Sequence, residues 1–340
     1  MDPTLPPPSS TPSPPPAPPR RARRWLGWVV FGALVLLAAW LVARPGRRAA
    51  APTAAAERWR EEVLQGTGPH RIALVEIRGV LTEDGAAPLP EWSSGFRLAA
   101  VREQLRRAAE GSSVRAVVLR IDSPGGSVVA SEELYQAVKQ LRKPVVASLG
   151  ETAASGGYYV AVAADRIVAS PGTITGSIGV IATVPDVGEL ARKVGYRQTV
   201  IKSGEFKDMG NPLRAITPRE RALFQALVDD LFQGFVDRVA EGRRLPRARV
   251  LTLATGQVYT GAQALRLGLV DEVGDLQRAI ERARSLARVP TATVIRYVRR
   301  EPRIRLLDLL LSGSPPGLQE RLDAARGRWL RAQFWYLAYF

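Results

Sequence analysis

The chain contains no cysteine in its 340 residues. Disulfides, thiol catalysis and cysteine-held metal are thereby excluded. The absence also fits an extracytoplasmic protein that does without disulfides. There is one histidine, His70, so a multi-histidine metal site is excluded and any histidine catalysis must use that residue. Negative charge is short: 48 Lys and Arg stand against 32 Asp and Glu, a net charge of +16. The excess is almost all arginine, gathered at 20–24, at 44–48 and after 282. That placement marks membrane-flanking and surface segments, and no nucleic-acid-binding motif accompanies it, so nucleic acid is not an expected partner. With 46% apolar residues, the chain has the material for a large core.

The composition divides the chain into five parts. Residues 1–24 are proline-dominated and end in RRARR, a solvated tail that packs no core. Residues 25–43, WLGWVVFGALVLLAAWLVA, carry no charge. At 1.5 Å per residue such a run crosses the ~30 Å hydrocarbon layer, and Trp25, Trp28 and Trp40 suit its interfaces. A signal peptide's apolar region is only about 7–15 residues long, so the run reads as an uncleaved transmembrane helix. Residues 44–69 read as a linker with a short helical stretch near 54–64. Residues 70–290 alternate strand and helix patterns, which predicts an α/β domain. Residues 291–340 read as a C-terminal tail.

Within the α/β domain, the stretch 122–157 organises the rest. It holds two glycine turns, SPGG (123–126) and ASGG (154–157). Each follows a run of strand formers, AVVLRI (116–121) and VVASL (145–149), and each leads into a helical pattern. Continuous apolar runs between turns suit buried parallel strands, with the helix near 127–141 as the crossover. Adjacent parallel strands bring both turns to one sheet edge. One turn presents the hydroxyl of Ser155, and the other presents the unshielded N–H groups of Gly125 and Gly126. A nucleophile facing an oxyanion hole needs that arrangement. Further strands are expected at 72–77, 166–169 and 198–201, and further helices at 96–109, 156–164, 217–241 and from Gly261. In the helix at 217–241, Thr217 and Glu220 form a capping-box pattern.

Each chemical signal is weak alone. Most Ser-Gly pairs are turns, most lysines are solvated, and Ser177 in TGSIG reads equally as a turn serine. Lys207, however, lies in SGEFKDMG after an expected strand, not on a charged helix face. A serine nucleophile without histidine needs another base, and lysine is available. The reference lysine pKa is about 10.4, so a lysine base requires a desolvated site. The neighbouring Asp208 would oppose that tuning and should point elsewhere. His70 could serve as base only if the fold returned it to the serine.

Taken together and in order, these motifs carry a resemblance. The stretch RIDSPGG…AASGGYY…TGSIGV, followed by IKSGEFKDMGNPLR and QVYTGAQALRLGLVDEVG, resembles the signal peptide peptidase A family in its short, single-domain form. The likeness runs over about 71–285. It implies a spiral ββα fold of the Clp protease/crotonase kind, following an N-terminal transmembrane helix. It implies a serine endopeptidase that degrades remnant signal peptides or similar apolar peptides, without metal or organic cofactor. Residue by residue, Ser155 matches the nucleophile, Lys207 the general base and Ser177 the serine that holds the lysine amine. Gly126 and Gly156 match the oxyanion-hole positions. The family forms membrane-anchored homo-oligomeric rings with the catalytic domain outside the cytoplasm, and serine and lysine can come from neighbouring subunits. The four arginines before residue 25 and three after 43 favour an N-terminus-in orientation only slightly, and the resemblance tips the choice.

Alternatives remain. A crotonase-type acyl-CoA enzyme uses similar glycine N–H groups without a serine nucleophile. A related membrane serine protease cuts one specific stomatin-like partner. A silent scaffold would have no use for Ser155 and Lys207. The tail, which ends WLRAQFWYLAYF (329–340), is too aromatic to stay in water. It is expected to pack on the domain or a neighbouring copy, to lie on a membrane, or to occupy the substrate groove as a restraint.

Overall fold

The computed structural model describes Trp59–Glu83 and Arg97–Arg299, together with the backbone of Trp335–Leu337. The transmembrane run expected at 25–43 and the loop at 84–95 lie outside the described residues. Among the described residues, no helix is long and apolar enough to cross a membrane.

A mixed sheet forms the centre. In chain order the described strands, not all of which join it, are β1 (Trp59–Gln65), β2 (Arg71–Arg78), β3 (Val114–Ser123), β4 (Gly125–Ser127), β5 (Val145–Ala154), β6 (Arg166–Ala169), β7 (Ile174–Gly176), β8 (Val258–Thr260), β9 (Glu272–Val273), β10 (Thr293–Arg299) and β11 (Trp335–Leu337). The main path runs β1-β10-β2-β3-β5-β6-β9, while β7 joins β5 and β8, and β4 and β11 form a separate pair. From β10 through β9 every neighbour is parallel. The helices are α1 (Leu98–Glu110), α2 (Val128–Lys139), α3 (Gly156–Ala161), α4 (Gly188–Lys193), α5 (Pro218–Arg243), α6 (Arg247–Leu253), α7 (Gly261–Leu267) and α8 (Leu276–Leu286).

Alternation along the strands explains why their sequences read as unbroken apolar runs. In β2, Ala73, Val75 and Ile77 join a core with α1, α2, α3 and α5. Ile72 and Leu74 point the other way, into a smaller core with Ala279, Ile280 and Ala283 of α8. In β3, Val117, Leu119 and Ile121 take the first side, and Ala116 and Val118 the second. Helices cover both faces, so neither face can be polar. Fully burying each such side chain contributes about 1.5–3 kcal/mol, which makes this layer the stable frame for what it carries.

Three expectations require correction. The helical stretch at 54–64 is in part a strand: β1 pairs antiparallel with β10, Trp59 facing Arg299. Most of this edge strand is exposed, and Trp59 is the residue that packs against the main core. The sheet therefore runs past the expected boundaries at 70 and 290, because β10 is not tail but the parallel neighbour of β2. Residues 198–201 form no strand. They lie exposed with no sheet partner to saturate their backbone. The capping box does form: the Thr217 side chain accepts from the Glu220 N–H, and the Glu220 carboxylate accepts from the Thr217 N–H.

Candidate active site

The candidate nucleophile is set by a strand-to-helix turn. β5 ends at Ala154, Ser155 caps α3, and its backbone sits at φ 52°, ψ −119°. A non-glycine residue at such an angle is strained by about 1–3 kcal/mol and persists only where its surroundings enforce it. Here they do. The Ser155 N–H donates to Gly176 O at 2.8 Å, and its own carbonyl accepts from the Tyr159 N–H at 2.8 Å. Sharp turns of this kind aim a serine hydroxyl out of a sheet edge. Ser155 is 1% exposed, and its Oγ has no hydrogen-bond partner. A buried hydroxyl left unmatched calls for an explanation in function.

Ser177 comes to the same place. Ala154 and Gly176 are register partners of β5 and β7, so the residues that follow them, Ser155 and Ser177, leave adjacent strand ends. Ser177 is also held at positive φ (49°), is buried, and donates its N–H to Gln257 O at 2.8 Å.

The glycines converge on Ser155 from the other side. A Cβ on Gly156 would lie 2.5 Å from Ser131 Oγ and 3.2 Å from the Gly126 nitrogen. The backbone at Gly156 therefore packs directly against the Gly125-Gly126 turn, an approach that any larger residue would prevent. Gly126 is pinned in turn by Leu81, whose carbonyl oxygen would lie 2.2 Å from a Cβ at that position. Ser123 locks the turn from below: its Oγ donates to Gly79 O at 2.6 Å and accepts from the Gly125 N–H at 3.1 Å.

Lys207 stands apart. It lies in a run of turns between α4 and α5, is exposed, and does not hydrogen-bond to the partnerless Ser155 Oγ. The desolvated lysine expected from sequence is thus not built among the described residues, none of which covers that segment. From 181 to 219 only Gly188 is buried. Asp208 does point elsewhere: its carboxylate accepts from Lys202 Nζ at 2.5 Å and from Arg214 Nε and Nη2 at 3.1 Å. Those hydrogen bonds, Arg214's first, hold it below the usual carboxylate range. Arg214 also grips Glu220 through Nη1 at 2.8 Å and Nη2 at 2.5 Å. Its hydrogen bonds bring Glu220 down to about 2. The guanidinium thus ties the lysine turn to the first turn of α5. Sequence reasoning saw Glu220 only as a cap and assigned nothing to Arg214. An arginine between two acidic residues at equal spacing (Asp208, Arg214, Glu220) was the available signal.

Within one chain His70 does not reach Ser155. It precedes β2 at the amino end of the parallel strands, whereas Ser155 follows the carboxyl end of β5.

Comparison with known proteins gives the family. The model of peptidase family S49 matches residues 137–290, and that of Clp protease matches 95–175. A putative protease of Synechocystis is 42% identical over 219 residues, covering 64% of this chain and 74% of the relative. A putative signal peptide peptidase SppA of Enterococcus faecium is 33% identical, covering 70% of each. Protease 4 of Haemophilus influenzae is 34% identical over 267 residues, and the match spans 42% of that longer protein. The fold and these relatives define a serine peptidase. The chain belongs to peptidase family S49, the signal peptide peptidase A family, within the wider Clp-protease-like group.

Proposed function

We propose that the protein is a membrane-anchored endopeptidase that clears remnant signal peptides or similar apolar peptides with a Ser155–Lys207 dyad. The observation that carries the reading is Ser155: strained, buried, and with a hydroxyl lacking any partner, against the N–H groups of Gly126 and Gly156. In this mechanism the Ser155 Oγ attacks a peptide carbonyl while the Lys207 amine takes its proton. The oxyanion accepts from the Gly126 and Gly156 N–H groups, each such donor being worth about 3–4 kcal/mol of barrier. Lys207 then protonates the leaving amine, and water repeats the cycle on the acyl-enzyme. Ser177, leaving the strand end next to Ser155, orients the amine.

The dyad closes between copies. Lys207 lies on a segment whose apolar side chains face outward, with Ile201 96% and Val194 73% exposed. Such a segment on a soluble domain marks a contact surface. A second copy of this chain is the occupant that also supplies what each Ser155 lacks, and a head-to-tail contact of this kind closes as a ring. Anchoring through residues 25–43, with the catalytic domain outside the cytoplasm, is part of the same proposal and rests on the uncharged run and its tryptophans.

Two preparations test it. A serine-reactive probe should label the parent protein and not Ser155→Ala. Inactive Ser155→Ala and inactive Lys207→Ala chains, dissociated, mixed and reassembled, should recover cleavage together. Absence of recovery in a reassembled mixture removes the shared dyad, and absence of labelling removes the serine mechanism. The neighbouring reading, a protease for one stomatin-like partner, has the same site and is separated by a substrate screen.

A further inference from the structure

A charged clamp lies one helical turn behind Ser155. Tyr159 of α3 donates its N–H to the Ser155 carbonyl at 2.8 Å, so whatever fixes Tyr159 also fixes the backbone of the nucleophile. The Tyr159 ring is buried. It stands edge-on to Tyr135 of α2, with centroids 5.5 Å apart, and tilted to Phe235 of α5 at 5.0 Å. Ring contacts of this kind are tolerant of small shifts, and the polar groups at their rim set the register. The Tyr159 hydroxyl donates to the Glu132 carboxylate. The same carboxylate accepts from Arg238 Nη2 of α5 at 2.9 Å and from Gln136 Nε2 at 2.6 Å. The Arg238 guanidinium in turn lies 4.8 Å over the Tyr135 ring. Glu132 of α2 thus joins three helices.

Each of those helices leads to the site. Ser131, next to Glu132, supplies the oxygen nearest to a Cβ built on Gly156, and it donates to the Ser127 carbonyl at 2.8 Å. On the other side, α5 runs unbroken from Pro218 to Arg243. Its first turn carries Glu220, gripped by the Arg214 that also holds Asp208 beside Lys207. At 1.5 Å per residue, about 27 Å of one helix joins that grip to Arg238. The Glu132 and Arg238 side chains are each 34% exposed, so water screens the pair and its part in stability is small. Geometry is what it contributes.

We infer that Glu132 is a positioning residue of the peptidase: through Tyr159 and Arg238 it holds the Ser155 turn and Gly156 in register with the helix that carries the lysine arm. The inference rests on the reading of Ser155 as nucleophile and Lys207 as base. Loosening the clamp leaves peptide binding as it is and slows turnover through misplacement of the reacting groups.

The test uses the full assembled chain, a short apolar fluorogenic peptide and a serine-reactive fluorophosphonate probe. Tyr159→Phe deletes one oxygen and keeps the ring. Its kcat should fall roughly three- to tenfold with KM and melting temperature close to the parent, and the rate of Ser155 labelling should fall by the same factor. Glu132→Ala should lose roughly ten- to thirtyfold in kcat, and adding Tyr159→Phe to it should cost nothing further, since the two act as one unit. Arg238→Lys should keep part of what Arg238→Met loses, because one ammonium still reaches the carboxylate. Parent kcat and labelling rate in Tyr159→Phe overturn the inference and leave the Ser155 mechanism standing. A loss in Glu132→Ala confined to melting temperature overturns it too, and so do independent, multiplying losses in the double variant. Undiminished labelling of Ser155→Ala overturns the reading of Ser155 itself, and the inference with it.

Discussion

The central body and the 181–219 arm are built by opposite rules. In the body, β3, β5 and α3 are almost wholly buried, and every candidate group there is fixed by backbone contacts on two or three sides. In the arm, one residue, Gly188, is buried, and apolar side chains such as Leu190, Val194 and Ile201 face outward. The body holds Ser155, Ser177, Gly126 and Gly156, and the arm holds Lys207. A nucleophile and oxyanion hole need rigid placement, because positioning errors of an ångström are expensive. A lysine base needs dehydration, which an exposed arm gains only on docking. In the proposed mechanism this contrast is a control: chemistry waits until a second surface covers the arm.

The largest test removes either side outright. Ser155→Ala and Lys207→Ala should each lower kcat/KM by on the order of 10⁴-fold or more, and the double variant should be scarcely worse than either. Peptide hydrolysis by purified variants with unchanged circular dichroism is the measurement. Substantial turnover by Lys207→Ala would break the pairing of body with arm.

Next, Gly156→Ala attacks the body alone. Its new methyl meets Ser131 Oγ and the Gly126 turn, and kcat should fall about 10²–10³-fold, as for a lost oxyanion donor. Adding Ser131→Gly should recover part of that loss, since it removes the nearest obstructing atom. No recovery at all would mean that the Gly126 turn, rather than Ser131, is the obstacle.

Ile201→Asp attacks the arm's outward face. Analytical ultracentrifugation should show a smaller assembly, with activity falling in step. An intact assembly at full activity would remove that face as the contact. Arg214→Met releases the lysine turn from α5 without touching Lys207, and kcat should drop roughly ten- to a hundredfold through misplacement. Arg214→Lys should rescue little of this, since one ammonium cannot fork to both carboxylates.

The smallest effect is on stability against acid. Glu220 is held at about 2 by Arg214, below the ordinary carboxylate value of about 4.3. A carboxyl depressed in the fold stabilises it above its unfolded pKa and loses that contribution as pH falls through the folded value. Melting temperatures should therefore fall between about pH 4 and pH 2 in the parent. Arg214→Met should lack that part of the decline.

The body was legible in the sequence because its rules are local. Strand formers between glycine turns gave β3, β5 and the crossover helix α2, and Thr217 with Glu220 marked the start of α5. Ser155 and the Gly125-Gly126 turn could be put on one sheet edge from parallel topology alone, whereas Ser177 was assigned only through the resemblance. The failures lie where partners are distant. The stretch 54–64 looks helical, and its described part pairs instead with β10, an antiparallel neighbour more than two hundred residues later. Residues 198–201 look like a strand, and no sheet receives them. The burial of Lys207 was inferred from the chemistry it must perform, which says nothing about which chain provides the cover. Arg214 was missed because its two acidic partners meet only after the arm folds back.

The pairing of β1 with β10 has a geometric consequence. Trp59 faces Arg299, so 59 and 299 lie at one corner of the sheet, and β10 in turn covers the edge of β2. A fragment cut to 70–290 would keep every candidate site residue and yet lose both outer strands, leaving β2 as an open edge that invites pairing with other chains.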